Sequence, residues 1–183
     1  MPAFRARSNF EVFIRGLTID CRIPARPRSC IRAARPRIQQ EAMLITRRVE
    51  FSASHVCANP ALSAEENRAL YGAAANPHGH GHNYVVEVTV EGSPDPVTGM
   101  VLDLKELKEI LDREVAGPYD HRFLNYEVPP FDRVIPTTEN VARDIWERLE
   151  ARLSSAGRRL RAVRVHETPD LYVDYFGEQP CSA

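Results

Sequence analysis

Two stretches of the chain, 43–55 and 80–91, alternate apolar and polar residues with the period of two that a half-buried β-strand shows. The apolar positions of one parity are Ile45, Val49, Phe51 and Ala53 in the first stretch and Tyr84, Val86, Val88 and Val90 in the second. Histidines occupy the same parity, His55 in the first stretch and His80 and His82 in the second. The pattern therefore predicts two strands whose buried faces both carry histidine.

Helical signals follow each of these strands. A capping box, in which Ser63 is followed three residues later by Glu66, predicts a short helix inside the insertion 58–77. A second box, Asp103 with Glu106, begins an amphipathic helix that we predict to end near residue 115.

The last third of the chain predicts one more helix and a hairpin. The helix begins at Thr137 or Thr138, either of which could cap it, and ends within 154–157. The stretches 160–167 and 171–176 are predicted to form the hairpin. The order of strand, strand, helix, helix, strand, strand indicates an α+β fold with one four-stranded antiparallel sheet and two helices on one face. Homo-oligomerisation could pair the edges of such a sheet.

The composition suits one compact domain without a charged macromolecular partner. The chain has 183 residues, of which 43% are apolar, and a net charge of −1, so neither a nucleic acid nor a membrane is expected as an obligate partner. The four cysteines lack the C-x-x-C spacing of a zinc or redox site, and a reducing cytoplasm is the expected location.

The first 42 residues differ from the rest of the chain. They hold nine arginines, no lysine and four prolines against three acidic residues, a local net charge of +6, and they show no sustained periodicity. We predict that 1–42 is a disordered extension or lies ahead of the true start at Met43, with one folded domain over 43–183. An arginine-rich leader also resembles a transit peptide, although its hydroxyl content is low.

The stretch NPHGHGHNY, which begins at Asn76, contains the candidate chemistry. His80 and His82 face the same side of the predicted strand, so their imidazoles could converge on one cation such as zinc, which binds histidine nitrogen at about 2.0 to 2.1 Å. An antiparallel neighbour could bring His55 opposite this pair. Three histidines with an open fourth position would describe a catalytic rather than a structural zinc site.

Seven segments of the chain resemble one known family in their order and spacing. They are FSASH, LSAEEN, YGAAANPHGHGHNY, DPVTGMV, YDHRFLN, PTTENVA and VHET, and they extend from about Met43 to about Gly177. Together they resemble the 6-pyruvoyl-tetrahydropterin synthase and 6-carboxytetrahydropterin synthase family. The resemblance implies the tunnelling fold, usually a homo-hexamer of two trimers whose sheets close into barrels, with active sites between subunits.

The resemblance also implies a cofactor and its ligands. It makes His55, His80 and His82 the ligands of Zn²⁺, whereas His78 matches no ligand of the family and is assigned to a turn. The segment HGHNYVVE resembles part of a cupin motif as well. In that alternative Glu87 would be a ligand, but its parity points away from the histidines and two long helices do not suit an all-β barrel.

Roles for four further residues follow from the resemblance. Asp120 and His121 match the pair that relays protons at the substrate side chain. Glu167 matches the carboxylate that grips the pterin ring, because a carboxylate can accept two parallel N–H bonds from the guanidine-like edge of a pterin. Thr138, in PTTENVA, is the second candidate for substrate binding.

The implied substrate is 7,8-dihydroneopterin triphosphate, and the implied activity is that of a lyase. Zinc would hold and polarise the hydroxyls of the substrate side chain. Loss of triphosphate would give 6-pyruvoyltetrahydropterin. Cleavage of a carbon–carbon bond would instead give 6-carboxytetrahydropterin, which belongs to the queuosine pathway.

The chain departs from the family at one position. The pyruvoyl branch has a cysteine base six residues before the first histidine of the H-x-H pair, and this chain has Ala74 there. Cys57 shares the parity of His55 and is the candidate replacement, while Glu65 and Glu66 are weaker candidates. The alternative is a relative that binds zinc and pterin without turnover.

Overall fold

The structure of the protein is a computed structural model that describes residues 42–178, and in it the two histidine-bearing stretches are neighbouring strands. The elements in chain order are β1 (Met43–His55), α1 (Ala64–Tyr71), β2 (His80–Gly92), α2 (Leu104–Leu111), α3 (Gly117–Tyr119), β3 (Arg122–Phe123), α4 (Leu124–Glu127), α5 (Thr138–Leu153), β4 (Arg158–Thr168) and β5 (Leu171–Tyr175). The predicted N-terminal extension, 1–42, lies outside the described residues except for residue 42.

The sheet has five strands in the order β3-β1-β2-β4-β5. The four longer strands pair antiparallel, as predicted. The prediction of a four-stranded, wholly antiparallel sheet is wrong in one respect, because β3 pairs parallel with Ala53 and Ser54 at the end of β1. A period of two cannot be recognised over two residues, so the alternation of the sequence could not reveal this strand.

One face of the sheet packs against α2 and α5 and forms the hydrophobic core. Buried side chains of this core include Phe51, Tyr84, Val86, Val88, Val90, Val163 and Val165 from the sheet and Leu107, Leu111, Val141, Ile145 and Leu149 from the helices. Residues of the opposite parity, such as Glu87 and Thr89, remain partly exposed. The two main helices thus lie on one face of the sheet, and the alternation marks that face correctly.

The first two helices start at their predicted caps. Ser63 and Glu66 form the complete capping box of α1, in which each side chain accepts the backbone N–H of the other residue. Asp103 caps α2 by accepting the N–H of Lys105, but Glu106 does not complete a second box. The helix predicted to end near residue 115 continues through a π-helical segment and α3.

The cap of α5 is Thr137, whose Oγ1 accepts a hydrogen bond from the N–H of Asn140 at 3.5 Å. Thr138 is therefore the first residue of the helix. Its hydroxyl does not cap the helix and instead bonds to Glu167, at the site described below. The tertiary fold thus decides between two caps that the sequence left open.

Three strand edges at the two ends of the sheet have no neighbouring strand within the described part of the chain. They belong to β3, to β5 and to the portion of β1 before Ala53. None of the helices in 42–178 combines the length and the hydropathy needed to cross a membrane.

Replacing Leu107 by alanine should lower the free energy of unfolding by about 2 to 5 kcal/mol, because this fully buried side chain would leave a cavity between α2 and the sheet. The matched control is Leu104→Ala on the same helix, where the side chain is 51% exposed and the change should stay within about 0.5 kcal/mol. Urea denaturation followed by circular dichroism measures both variants. Equal losses at the two positions would contradict the packing.

Candidate metal centre

The pairing register of β1 and β2 brings the three predicted histidines together. His55 lies directly opposite His80, and His82 lies opposite Ala53. The imidazole ring centroids are 4.4 Å apart for His55 and His80, 4.9 Å for His80 and His82, and 5.3 Å for His55 and His82. A Cβ atom at Gly81 would lie 3.2 Å from the carbonyl oxygen of Ala53, so glycine between the two histidines keeps this close contact of the strands free of strain.

His55 is the most buried of the three, with 1% of its surface exposed. Its Nδ1 lies 2.7 Å from the carbonyl oxygen of Pro136. Because a carbonyl only accepts, Nδ1 carries a proton and Nε2 is the nitrogen left to bind a metal. Burial lowers the pKa of His55, but contacts with Cys57, Glu167 and Pro136 outweigh burial and raise the pKa to about 9. Metal binding at Nε2 therefore requires that His55 lose a proton.

His80 and His82 have the properties of neutral metal ligands. Burial lowers the pKa of both imidazoles, and the nearby charge of His55 lowers them further. His80 Nδ1 and His82 Nε2 are buried and have no hydrogen-bond partner among residues 42–178. Because a buried nitrogen without a partner costs about 1 to 3 kcal/mol, such atoms indicate a site that a ligand or ion satisfies. The residues present therefore fit a metal ion.

Glu167, near the end of β4, completes the cluster. Its Oε1 lies 3.2 Å from His82 Nε2 and 3.4 Å from His55 Nε2, and its Oε2 accepts a hydrogen bond of 2.7 Å from Thr138 Oγ1. The hydrogen bond with His55 and that with Thr138 hold the pKa of Glu167 down at about 2 although burial raises it. One ligand atom from each of His55, His80, His82 and Glu167 lies within 4.8 Å of the others. The sequence analysis assigned Glu167 to the pterin ring, and the structure adds contacts with the histidines.

Asp120 and His121 contact each other but do not belong to this four-residue cluster. His121 Nδ1 lies 2.9 Å from Asp120 Oδ2. The main chain of Ser52 holds both residues, since its N–H donates to Asp120 Oδ1 at 2.9 Å and its carbonyl accepts the N–H of His121 at 2.6 Å. The Ser52 N–H, followed by His121, lowers the pKa of Asp120. His121 adopts a φ of 57°, a strained conformation that is enriched at functional sites.

The side chain of His121 is open to solvent, with 82% of its surface exposed. His121 and His82 line one wide, open pocket of about 520 Å³ at the end of β1 and β2. Among the described residues, His121 thus shares this pocket with the candidate ligand His82, and the side chain of His121 itself remains largely exposed.

Cys57 lies behind His55, and 7% of its surface is exposed. Its Sγ is 4.0 Å from His55 Nδ1, the nitrogen that also faces Pro136. Its backbone N–H donates to the carbonyl of Ala74 at 2.9 Å. The candidate replacement thiol is therefore a spatial neighbour of the position where the family has its cysteine.

Asn125 is a site residue that the sequence reasoning missed. Its amide forms two hydrogen bonds with the main chain of Val56, accepting the N–H at 2.8 Å and donating to the carbonyl at 3.0 Å. Val56 directly follows His55, so Asn125 substitutes for a neighbouring strand at the point where β1 ends. The signal was present in the segment YDHRFLN, where Asn125 follows the proton-relay pair, but its partner is remote in sequence.

The chain belongs to the 6-pyruvoyl tetrahydropterin synthase family, which matches residues 44–178. It is 47% identical over 134 residues to human 6-pyruvoyl tetrahydrobiopterin synthase, an alignment that covers 73% of this chain and 91% of the human protein. It is 36% identical over 101 residues to the 6-carboxy-5,6,7,8-tetrahydropterin synthase of Bacillus subtilis, covering 52% of this chain and 66% of that protein.

A solved structure agrees with this assignment. The structure of Caenorhabditis elegans 6-pyruvoyl tetrahydropterin synthase superposes with a TM-score of 0.71 at 36% identity, and the superposition covers 76% of this chain and 98% of the other. The resemblance inferred from the seven segments is confirmed. Synthases of this family are lyases, so the predicted enzyme class is confirmed as well.

Replacing Asn125 by leucine should weaken metal binding by about 10- to 100-fold, the effect expected when a group that orients a ligand is lost. The change removes both hydrogen bonds to Val56 and frees the main chain next to His55. Asn125→Asp keeps the acceptor for the Val56 N–H and should lose less affinity. Zinc titration in competition with a chromophoric chelator gives both dissociation constants. Wild-type affinity in Asn125→Leu would rule out the positioning role.

Proposed function

We propose that the protein is a zinc-dependent lyase that acts on the side chain of 7,8-dihydroneopterin triphosphate. The observation that supports this most strongly is the convergence of one buried and two partly buried histidines from β1 and β2 in a member of the 6-pyruvoyl tetrahydropterin synthase family. Zinc suits a site of neutral imidazoles, and His55, His80 and His82 would hold it. Bound zinc would polarise the hydroxyls of the substrate side chain and ease proton removal at the adjacent carbon.

The other residues of the site would bind the pterin ring and transfer protons. The carboxylate of Glu167 would accept the N–H groups of the pterin edge, and Thr138 would fix the orientation of that carboxylate. Asp120 and His121 would return a proton to the side chain after a base has removed one. The fixed position of the Asp120–His121 pair supports this role, because the N–H of Ser52 donates to Asp120 and the carbonyl of Ser52 accepts from His121.

A homo-hexamer with active sites between subunits accounts for two features of the chain. The unpaired edges of β1 and β5 suit pairing with other copies, which would extend the sheet into a barrel. The exposed side chain of His121 could then complete a neighbouring copy's metal centre. These features favour the assembly that the sequence resemblance implies.

Two observations bear on which product the enzyme forms, and they point in different directions. The higher identity to the human 6-pyruvoyl enzyme than to the Bacillus subtilis 6-carboxy enzyme, 47% against 36%, favours triphosphate loss and a pyruvoyl product. Ala74, which cannot transfer a proton, counts against the cysteine-dependent pyruvoyl route and leaves two alternatives, 6-carboxytetrahydropterin from carbon–carbon cleavage and a protein that binds zinc and pterin without turnover. Chromatographic analysis of the products formed from 7,8-dihydroneopterin triphosphate distinguishes the three. Unchanged substrate with the zinc-loaded protein would favour binding without turnover.

His80→Ala should abolish stoichiometric zinc binding and, with it, turnover of 7,8-dihydroneopterin triphosphate. The matched control is His78→Ala, two residues earlier in the exposed turn, which should retain both properties. Elemental analysis of the purified variants measures zinc per chain, and chromatography measures turnover. Full zinc occupancy in His80→Ala would refute the ligand assignment.

Cys57→Ser should lower turnover by about 10²- to 10⁴-fold, the usual contribution of a general base, while zinc content and pterin binding persist. We propose Cys57 as the base because its main chain contacts Ala74, the position of the family's cysteine. Its Sγ lies on the Nδ1 side of His55. Ala74→Cys should raise the yield of pyruvoyl product. If Cys57→Ser turns over at the wild-type rate, or loses zinc together with activity, Cys57 is not the base.

A further inference from the structure

The contacts of Glu167 with the histidines are longer than the usual charge-assisted hydrogen bond. Charge-assisted N–H to carboxylate bonds are usually about 2.7 to 2.9 Å long. Glu167 Oε1 lies farther away, at 3.2 Å from His82 Nε2 and 3.4 Å from His55 Nε2. His82 Nε2 has no hydrogen-bond partner among residues 42–178 despite this proximity. Oε1 therefore lies beside two ring nitrogens at separations longer than those of close charge-assisted hydrogen bonds.

The same distances match those between ligand atoms of one metal ion. Two atoms bound tetrahedrally at about 2.0 to 2.1 Å from a zinc ion are separated by about 3.3 to 3.4 Å. The observed separations of 3.2 and 3.4 Å agree with this value. Three neutral imidazoles and one carboxylate also form a common donor set for zinc, with a net charge of +1 after binding.

Thr138 holds the other oxygen of the carboxylate. Its Oγ1 donates to Glu167 Oε2 at 2.7 Å, and Thr138 itself is 6% exposed. Because Thr137 caps α5, the Thr138 hydroxyl is available for this bond. Because Thr138 fixes Oε2, Oε1 points at the histidines. Thr138 thus orients Glu167 in the way that hydrogen-bond partners commonly orient metal-binding side chains.

We propose that Glu167 is the fourth metal ligand of the substrate-free protein and that it leaves the metal when it receives the pterin ring. This proposal rests on the proposed function. A carboxylate that accepts two parallel N–H bonds from a ring edge needs both oxygens, so Oε1 cannot serve the metal and the ring fully at the same time. Recognition of the ring would therefore free the coordination position that the side-chain hydroxyls require. No covalent bond forms in the exchange, since one carboxylate oxygen only changes partners.

Metal affinity and cobalt spectroscopy test the resting state. Glu167→Gln keeps the size of the side chain but removes its charge, and it should weaken zinc binding by at least about 10- to 100-fold in chelator competition, the range set by loss of even an indirect ligand partner. The Co²⁺-substituted variant should have visible absorption bands that differ from those of the wild type, because a ligand has changed. His78→Ala is the control and should match the wild type in both measurements. Wild-type affinity and wild-type bands in Glu167→Gln would overturn the proposal.

Unsubstituted pterin tests the exchange, because it has the ring edge but no side chain that could reach the metal. Added to the Co²⁺ protein, it should shift the bands of the wild type toward those of Glu167→Gln and leave those of Glu167→Gln unchanged. Pterin that binds by fluorescence titration without altering the wild-type bands would also overturn the proposal.

Failure of the proposed function can be distinguished from failure of the fourth-ligand proposal. If His80→Ala loses zinc while Glu167→Gln retains it, only the fourth ligand is wrong, whereas zinc retained by His80→Ala refutes the metal centre itself.

Discussion

The antiparallel register between β1 and β2 is the constraint on which the rest of the site depends. It sets His55 opposite His80 and leaves His82 on the same face, next to the apolar row that begins at Tyr84. A slip of one residue would turn every side chain of a strand to the other face, so the register is enforced by burial of the valines as much as by the hydrogen bonds. The hydrophobic core and the candidate metal centre thus lie on the same face of the sheet, with the candidate centre where β1 ends and β2 begins.

Polar groups at this end of the core are stabilised because remote segments supply their partners. The carbonyl of Pro136 fixes the proton of His55, Thr138 holds one oxygen of Glu167, and Asn125 pairs with the main chain beside His55. All three partners come from the stretch 125–138, which extends from α4 to the first residue of α5. The helical layer therefore covers the sheet and also orients the side chains that would bind the metal.

Ala74, at the position of the family's cysteine base, affects the candidate groups for proton transfer and not those for binding zinc and the pterin ring. The groups that would hold zinc and the pterin ring are assembled within one chain, whereas the groups that would move protons are a buried thiol behind His55 and an exposed Asp120–His121 pair. A largely covered ligand set and an exposed relay pair suit the proposal that a second copy completes the site. This division also explains why a binding protein without turnover is a coherent alternative, since the metal and ring contacts do not require the missing cysteine.

The sequence by itself determined the features that repeat along the chain and several that act within a few residues. Strand parity identified the buried face and the histidines on it, and short-range side-chain to backbone bonding identified the cap of α1. Only the tertiary structure decided the two-residue strand β3, the choice of Thr137 as the cap of α5, and the partners of Asn125 and Glu167. The physical reason is distance along the chain. The pairing of β3, the contacts of Asn125 and Glu167, and the bond to Glu167 that draws Thr138 away from the cap all join residues tens of positions apart. One hydrogen bond or one carboxylate oxygen leaves no periodic trace in the sequence.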